Sequence, residues 1–323
     1  MKKVVLSLIM MIVAMTASAQ QIAVVTSSGS TTMYQTLGDA ISNAPRNSVI
    51  YLPAGGFQIS DDVKITTKVT IIGVTHKANS DNAEGNTIIS GNLYFNSGSS
   101  NSAVMGCYIS GTVYIGYDDT EVNNILVKYC NVNAVNVKSN KCSGTKVNQN
   151  YIRSTCNFGG AEGTFTNNIM SSTTQNMTGG MFSNNIINSQ GSWTFYYVKN
   201  VTVSNNIFLF FWNGAYSCSN LYGSNNMFCK GSFGDDCISL GLDNYDGVFK
   251  KNNGVSPTSE FIFIGDYAQY NGKVGIYCTD DGGTGFSDGA MPPVPYVSYK
   301  KIDEQTDAAG NLSVKIQVKS VSE

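Results

Sequence analysis

Charge is the property that this sequence has least of. Only 13% of its 323 residues are Asp, Glu, Lys or Arg, and the formal net charge is −2. Since nucleic acid is bound by a basic face, this balance argues against a nucleic-acid partner. Histidine occurs once and arginine twice, which leaves few side chains for acid–base catalysis.

Long apolar runs are also missing after the N-terminus, so the sequence predicts no membrane span. The N-terminus itself has Lys2 and Lys3, an apolar core over 4–15 and small residues over 17–19. This order is typical of a secretory signal peptide over 1–19. We therefore expect a secreted protein that is extracellular, periplasmic or attached to the cell surface.

Asparagine, by contrast, recurs at a regular interval. Six segments align on one Asn, and two earlier segments have Cys in its place. The seven steps of this column cover 252 − 107 = 145 residues, a mean of about 20.7. The column consists of Cys107, Cys130, Asn150, Asn168, Asn185, Asn206, Asn226 and Asn252.

A period near twenty with apolar flanks is typical of a parallel β-solenoid, in which stacked coils bury one continuous core. Asn suits the turn of each coil because it tolerates left-handed backbone geometry. Stacked Asn amides also bond to one another as a ladder. Leucine-rich repeats require a Leu consensus that is missing here, and β-propellers require longer units. The sequence therefore predicts an all-β solenoid.

The two ends of the chain are predicted to cap this solenoid. A helix over 32–44 would cover the first coil, because its apolar residues share one face. These residues are Met33, Leu37, Ala40 and Ile41. Strand-like runs at 297–303 and 312–320 predict a hairpin that could close the last coil and shield its edge. The expected organisation is a signal peptide (1–19), a β-helix with an N-terminal cap (20–290) and a C-terminal hairpin segment (291–323).

The order of these segments resembles a known group of proteins. A helix followed by YLPAG (51–55), KVTIIG (68–73) and the Asn-Asn coils is similar to the pectin lyase-like superfamily. MPPVPY (291–296) and GNLSVKIQVK (310–319) resemble segments of secreted β-helix proteins of gut Bacteroidetes. The resemblance covers nearly the whole mature chain and implies a right-handed parallel β-helix. It leaves function open, since this fold serves lyases, hydrolases, esterases and non-catalytic surface proteins.

The segment GDDCISLG (234–241) resembles one catalytic motif of the polygalacturonases. The resemblance implies that Asp235 and Asp236 belong to a carboxylate set that protonates the leaving oxygen and activates a water. The third Asp of that family is missing, because no Asp or Glu lies between Glu162 and Asp235. Its downstream His and Arg motifs are missing too. A motif counts only with its context, so we favour a non-catalytic interpretation.

Metal-assisted chemistry has few candidates. β-Elimination needs a cation and a basic residue with a lowered pKa. Arg153 is the one candidate base. The alternative interpretation is that Arg153 is an ordinary surface arginine. Two acidic clusters could hold Ca²⁺, although solvated loops have the same composition. The clusters are Asp118, Asp119 and Glu121, and Asp280, Asp281 and Asp288. No motif for another cofactor is present.

The cysteines do not match zinc spacing, and His76 has no partner at metal spacing in the sequence, so we expect a loop histidine. Cys107 and Cys130 could stack in neighbouring coils, where a strand spacing of about 4.8 Å suits a disulfide. Buried thiols would fit the column as well. We favour thiols.

Aromatic residues cluster in the coils near 192–216. Trp193, Trp212 and Phe233 follow their column Asn by 8, 6 and 7 residues (193 − 185, 212 − 206 and 233 − 226). They could therefore stack along one face beside the acidic pair, where flat rings pack against sugars. The alternative is an aromatic stack in the core, because aromatic residues mostly serve packing.

Two classes of function remain. The first is a non-catalytic, adhesin-like protein that binds a polysaccharide or a cell-surface glycan along the helix face. The second is a polysaccharide-degrading enzyme, a lyase or a glycoside hydrolase, with an atypical site at Asp235 and Asp236. We favour the first, because Arg, His and paired acids are scarce.

Overall fold

The chain winds into a right-handed parallel β-solenoid of about 8 turns, which confirms the predicted fold class. Each regular coil contributes one strand to each of three faces, here called sheets A, B and C. The computed structural model describes residues 21–76, 85–189, 193–211, 214–234, 236–251, 260–279, 285–286, 292, 296–302, 305 and 310–319.

Sheet A has 11 strands and runs the length of the solenoid. Its first two strands are Thr31–Tyr34 and Ile22–Val25, which pair antiparallel. Ile22–Val25 also pairs antiparallel with Ser48–Tyr51, and all later strands are parallel. These later strands are Val69–Ile72, Ala103–Met105, Leu126–Lys128, Thr145–Asn148, Gly163–Thr166, Thr178–Ser183, Lys199–Ser204 and Ser219–Ser224.

Sheets B and C are two arms of one 15-stranded sheet, because Tyr108–Ile115 and Asn131–Val137 extend through both arms. The other strands of sheet B are Gly55–Gln58, Thr87–Ser90, Tyr151–Ile152, Ile169–Met170, Ile186–Asn188, Ile207–Phe210, Met227–Phe228 and Ile238–Ser239. The other strands of sheet C are Leu93–Phe95, Cys156–Asn157, Thr174–Gln175, Phe195–Tyr196 and Ala215–Tyr216. A 3₁₀ turn follows at Tyr117–Asp119.

The N-terminal cap contains one α-helix, α1, at Leu37–Asn43. Thr36 caps it by accepting a 3.0 Å hydrogen bond from the Asp39 backbone N–H, and three of the four predicted apolar residues are buried. The fourth, Met33, is 49% exposed, so its predicted place on the helix was wrong. It lies in the strand Thr31–Tyr34, whose β-branched threonines favour pairing with the first strand over helix.

The core fills the inside of the solenoid with columns of like side chains. In sheet A, Val147, Phe165 and Phe182 occupy successive coils and are fully buried. The rings of Phe165 and Phe182 stack with centroids 4.8 Å apart. Burying each such side chain stabilises the fold by about 1.5–3 kcal/mol, so stacking the coils supplies what no single coil could.

The predicted asparagine ladder is present. In each rung one amide donates to the next: Asn185 Nδ2 donates to Asn206 Oδ1 at 2.9 Å and to the Phe165 carbonyl at 3.0 Å. The Asn168 backbone N–H donates to Asn185 Oδ1 at 2.8 Å. The residue before each ladder position has a positive φ, for example Asn184 at 59°. The five ladder asparagines are Asn150, Asn168, Asn185, Asn206 and Asn226, all fully buried.

Cysteine occupies both ends of this ladder. Cys107 and Cys130 are buried thiols in neighbouring coils, as we favoured, and burial raises the pKa of Cys130 to about 12. At the other end the structure corrects the predicted column. Met227 pairs with Ile238, so Cys237 follows Asn226 after only 237 − 226 = 11 residues. Asn252, the predicted last member, lies outside the described residues.

The C-terminal part leaves the coils and folds back over sheet B. We call residues 242–251 and 260–279 the C-terminal strap. It contains the antiparallel strands Phe249–Lys251 and Glu260–Phe263 and a 3₁₀ turn at Gly265–Tyr270. Its tip reaches back along the ladder turns, where the Gly275 N–H donates to the Asn205 carbonyl at 2.6 Å.

The predicted C-terminal hairpin is confirmed, with antiparallel strands at Tyr296–Ile302 and Val314–Lys319. All six residues of the second strand are exposed, so this strand covers no coil, contrary to the expected closing role. No helix in the described part of the chain has the length and apolar character of a membrane span.

Candidate functional site

Over the coils from Ile169 to Met227, the outer face of sheet B is closed by the C-terminal strap. The outward side chains there are apolar and at most 2% exposed, because aromatic side chains of the strap pack against them. These outward side chains are Ile169, Ile186, Ile207 and Met227. Asn167 Nδ2 also donates to the Ile276 carbonyl of the strap at 3.0 Å. A second hydrophobic core therefore occupies this part of the face and leaves no room there for a ligand.

The outer face of sheet C has the opposite chemistry. Its strands pair in register so that one polar or aromatic side chain per coil lies in a straight row. We call this set the amide–tyrosine row. It consists of Tyr94, Tyr114, Asn136, Asn157, Gln175, Tyr196 and Tyr216. The residues that precede the row in its strands are buried inward, for example Phe195, except Ala215 in the last strand, and strand alternation turns the row outward.

Four aromatic residues form an exposed cluster at the C-terminal end of this row. The rings of Tyr196 and Tyr216 stack with centroids 5.1 Å apart, and the Trp193 ring lies 5.2 Å from Tyr216. Tyr197 stands edge-on to Tyr196 at 4.5 Å. Trp193, Tyr197 and Tyr216 are 37%, 40% and 41% exposed. Part of each of these rings is therefore open to solvent, although Tyr196 and Tyr216 turn one ring face toward each other.

A groove of about 470 Å³ runs beside the row, on the side that turns toward sheet A. Its lining includes Asn136, Asn157 and Asn176 as amide groups, together with Lys138, Tyr197 and Lys199. Asn176 Nδ2 donates to Asn157 Oδ1 at 3.1 Å, which fixes the orientation of that amide. Both lysines are exposed, and the three ion pairs found among the described residues involve other lysines.

The N-terminal end of the row is closed. Tyr94 and Tyr114 stack at 5.0 Å, and Tyr117 stands edge-on against both. Lys64 Nζ lies 3.5 Å from the centre of the Tyr94 ring, which is only 6% exposed. Burial is the largest cause that raises the pKa of Tyr94, and the nearby Asp61 raises it further. This end is therefore a packed surface cluster with little ring area for a ligand.

The structure separates two of the three aromatic residues that the sequence predicted to share a face. Trp193 lies on the outer face in the exposed cluster. Phe233 instead packs on the internal core, with its ring 6.0 Å from Phe211 and against Gly223 of sheet A. Trp212 lies outside the described residues. Of the two that the structure describes, Trp193 belongs to the candidate site and Phe233 does not.

The acidic segment GDDCISLG takes the ladder turn of the last coil. Asp236 pairs in register with Asn225, the residue before the ladder, and has the same positive φ, 52° against 48°. Asp236 is exposed, and Asp235 lies outside the described residues. A short polar side chain that tolerates left-handed geometry is what this turn position requires, so the turn explains Asp236 without catalysis.

The remaining candidates serve structure. Arg153 donates to Asn131 Oδ1 at 3.0 Å and to the Ile109 carbonyl at 2.8 Å, and stacks over Tyr108.

Asp119 pairs with Lys141, which lowers the pKa of this carboxyl. His76 lies in a bend after the strand Val69–Ile72, as expected for a loop histidine, and is buried. Within the described residues no cluster of His, Cys, Asp or Glu could hold a metal, and Asp280, Asp281 and Asp288 lie outside them.

The amide–tyrosine row was missed by sequence reasoning because its spacing from the ladder varies. Asn157 and Gln175 each follow their ladder Asn by 7 residues, but Tyr196 and Tyr216 follow theirs by 196 − 185 = 11 and 216 − 206 = 10. The connection between sheets B and C changes length from coil to coil. The sequence does contain one sign of this row: in each coil but the last, a buried residue of sheet C is followed directly by a residue with a polar side chain or a tyrosine.

The chain was compared with family models, with curated proteins and with solved structures, and no match was found in any of the three.

Proposed function

We propose that this protein is an exported, non-catalytic β-solenoid that binds a polysaccharide or cell-surface glycan on the outer face of sheet C. The observation that carries the proposal is the amide–tyrosine row with its exposed aromatic cluster. It is the outer face on which ring faces and amide groups meet in a groove. Export follows from the signal-peptide pattern of residues 1–19.

The residues of this face match the chemistry of sugars. Each sugar ring has an apolar face, which stacks on tyrosine and tryptophan, and a rim of hydroxyl groups. Asn and Gln side chains both donate and accept hydrogen bonds, so Asn136 and Gln175 can bond hydroxyls in either sense. Asn157 offers its Nδ2 group as a donor, because its Oδ1 already accepts from Asn176 Nδ2 and the Gly159 N–H. The lysine ammonium groups of the groove, at Lys138 and Lys199, add donors for hydroxyl or carboxylate oxygens.

Membership of the pectin lyase-like superfamily is part of this proposal. It rests on the β-solenoid fold with an internal Asn ladder and on the segments quoted above. Since that fold serves catalytic and non-catalytic proteins alike, the site must decide the function. Asp236 occupies a turn of the last coil, so the non-catalytic alternative has the better support.

Affinity electrophoresis of the purified protein in gels containing xylan, β-glucan, mannan, polygalacturonate, chondroitin sulfate or mucin tests the proposal. We expect at least one polysaccharide to retard the protein. Trp193→Ala and Tyr216→Ala should abolish the retardation. Tyr222→Ala is the matched control, because Tyr222 is 63% exposed but lies on sheet A.

The same polysaccharides are then incubated with the protein, and new reducing ends and unsaturated ends are measured. We expect no turnover. Turnover that is lost in Asp236→Asn or Asp235→Asn would overturn the non-catalytic proposal. Retardation that survives in Trp193→Ala and Tyr216→Ala would overturn the proposed site.

A further inference from the structure

We propose that the C-terminal hairpin is a membrane-docking element, which lays an apolar row on the surface of a bilayer that carries anionic lipids. The hairpin consists of the strands Tyr296–Ile302 and Val314–Lys319. The proposal goes beyond glycan binding, because it concerns a part of the chain outside the coils. Two observations on this one element carry it, an uncovered aliphatic row and an excess of lysine.

The second strand of the hairpin exposes a row of aliphatic side chains. Val314, Ile316 and Val318 are 50%, 60% and 59% exposed, and they share one face because strand residues alternate between faces. Leu312, two residues before the strand, is 49% exposed. In the rest of the described chain, Ile264 is the most exposed branched aliphatic residue, at 38%. A contiguous apolar row of this kind marks an interaction surface.

The hairpin is also the basic part of an acidic protein. Its two strands contain no Asp or Glu, whereas the whole chain has a formal charge of −2. The lysines of the strands are Lys300, Lys301, Lys315 and Lys319. Lys301 pairs directly with Lys315, and both are exposed. Like charges on directly opposite strand residues are unfavourable, so an anionic partner stabilises this arrangement.

An anionic lipid surface satisfies both features at once. The aliphatic row enters the boundary between headgroups and acyl chains, as the apolar face of an interfacial helix does. Since packed sheets lie about 10 Å apart, lysines on the other face of the hairpin stay within about 10 Å of the lipid charges, which is close to the Debye length at physiological salt. A second copy of the hairpin would cover the row but would add more lysines and no acid, so the charge favours lipid.

The hairpin starts far from the exposed aromatic cluster of sheet C. Pro292 lies against Gly106, where a Cβ would be 2.5 Å from Pro292 Cγ. The hairpin begins four residues after Pro292, at most about 14 Å along the chain. The ladder positions Cys107 and Asn206, which mark the coils of Gly106 and Tyr216, are five coils or about 24 Å apart. Lipid docking and glycan binding therefore belong to different parts of the molecule.

Vesicle flotation of the purified protein without residues 1–19 tests the proposal. The probes are vesicles of phosphatidylcholine alone and mixed vesicles of phosphatidylcholine and phosphatidylglycerol. We expect binding to the mixed vesicles to be about tenfold tighter or more, because each lysine near an anionic surface strengthens the association. This binding should weaken as added salt shortens the Debye length.

Matched variants locate the docking surface. Ile316→Ser should weaken binding to mixed vesicles about tenfold, and Met181→Ser is its control, because Met181 is 44% exposed on sheet A. Lys315→Glu should weaken binding about tenfold or more. Lys146→Glu makes the same change of charge at an exposed residue of sheet A and should weaken binding less than about twofold. Ile316→Val should retain most of the binding, which distinguishes a lost apolar contact from a lost hairpin.

The outcomes are distinct from those of the glycan experiments. Absence of binding to mixed vesicles, binding to both vesicle types that agrees within about twofold, or binding that survives Ile316→Ser and Lys315→Glu overturns the proposal. A dimer that Ile316→Ser dissociates, found together with absence of vesicle binding, assigns the row to a second copy and overturns the proposal as well. Trp193→Ala should leave vesicle binding unchanged, so the lipid proposal and the proposed function fail separately.

Discussion

In the C-terminal coils, sheets B and C present their outer faces side by side, yet the face of sheet B is buried and the face of sheet C is open. On sheet B, Ile186 and Ile207 are at most 1% exposed beneath the C-terminal strap, whereas Tyr216 on sheet C is 41% exposed. The backbone geometry is alike in both sheets. The chemistry of the outward residue therefore decides which face the chain covers and which face it leaves for a partner.

The covered face also explains why the chain continues beyond the last coil. A contiguous row of four exposed aliphatic side chains would promote association in water. The strap removes this row from solvent with its own aromatic side chains, among them Phe249, Phe261 and Phe263. The tyrosines at the C-terminal end of sheet C are left uncovered, as expected for side chains with one apolar face and one polar tip.

The largest predicted effect comes from removing an aromatic side chain of the strap. Phe263→Ala should lower the free energy of unfolding by about 3–5 kcal/mol, because Phe263 is buried between Phe249 and Tyr270. Urea denaturation measures this loss. Tyr216→Ala on the open face should cost less than about 1 kcal/mol. Equal losses for both variants would contradict the distinction between the faces.

A smaller effect is predicted where the strap meets the coils. Gly275 has a φ of +76°, and a Cβ there would collide with Ile207 Cδ1. Gly275→Ala should therefore lower the free energy of unfolding by about 1–3 kcal/mol more than the backbone strain alone would lower it. Gly247→Ala is the matched control, because Gly247 also has a φ of +76° and its Cβ would meet nothing within 4 Å. Limited proteolysis should cut the strap faster in the first variant only.

The two ends of the amide–tyrosine row sharpen the comparison further. Tyr196→Ala should weaken glycan binding about tenfold, or ~1.4 kcal/mol, with stability nearly unchanged. Tyr94→Ala in the closed cluster should do the reverse and lower stability by about 1–3 kcal/mol, because it removes a packed ring beneath Lys64. Calorimetry and urea denaturation of both variants distinguish these roles. Loss of binding in both variants would show that the closed end takes part.

The smallest predicted effect concerns proton binding. The hydrogen bond with Tyr197 is the largest cause that raises the pKa of Tyr196. Partial burial and the nearby tyrosines raise this pKa further. Because the folded pKa is raised, this contribution to stability is present below the ordinary tyrosine pKa and disappears as pH rises through the folded value. Tyr197→Phe should lower the pKa of Tyr196 toward its ordinary range. Ultraviolet titration at alkaline pH checks this, and an unchanged or higher value would contradict it.

The solenoid and its ladder could be predicted because both depend on local chemistry that repeats. Asn185 and its neighbours must bond the coils above and below, so the same residue recurs at the same turn. The rung at Cys237 was missed, because the coil between Asn226 and Cys237 is shortened to 237 − 226 = 11 residues. A mean period cannot locate a coil that departs from it.

The candidate site was only partly predictable. Trp193 was identified from its aromatic type, and it does lie on the open face. The amides of Asn157 and Gln175 drew no attention, because single polar residues in a chain rich in Asn and Ser are unremarkable until register aligns them. Phe233 was assigned to the face by its spacing alone, but a coil end contains interior positions that spacing does not reveal.

Hydroxyl-radical footprinting with mass spectrometry tests the central claim most directly, because it reports which tyrosines a bound glycan covers. The protein is labelled with and without the polysaccharide that retards it in gels. The account predicts that oxidation of Tyr197 and Tyr216 falls on binding while oxidation of Tyr222 on sheet A stays unchanged. Protection of Tyr222 without protection of Tyr197 and Tyr216 would contradict the assignment of glycan binding to the outer face of sheet C.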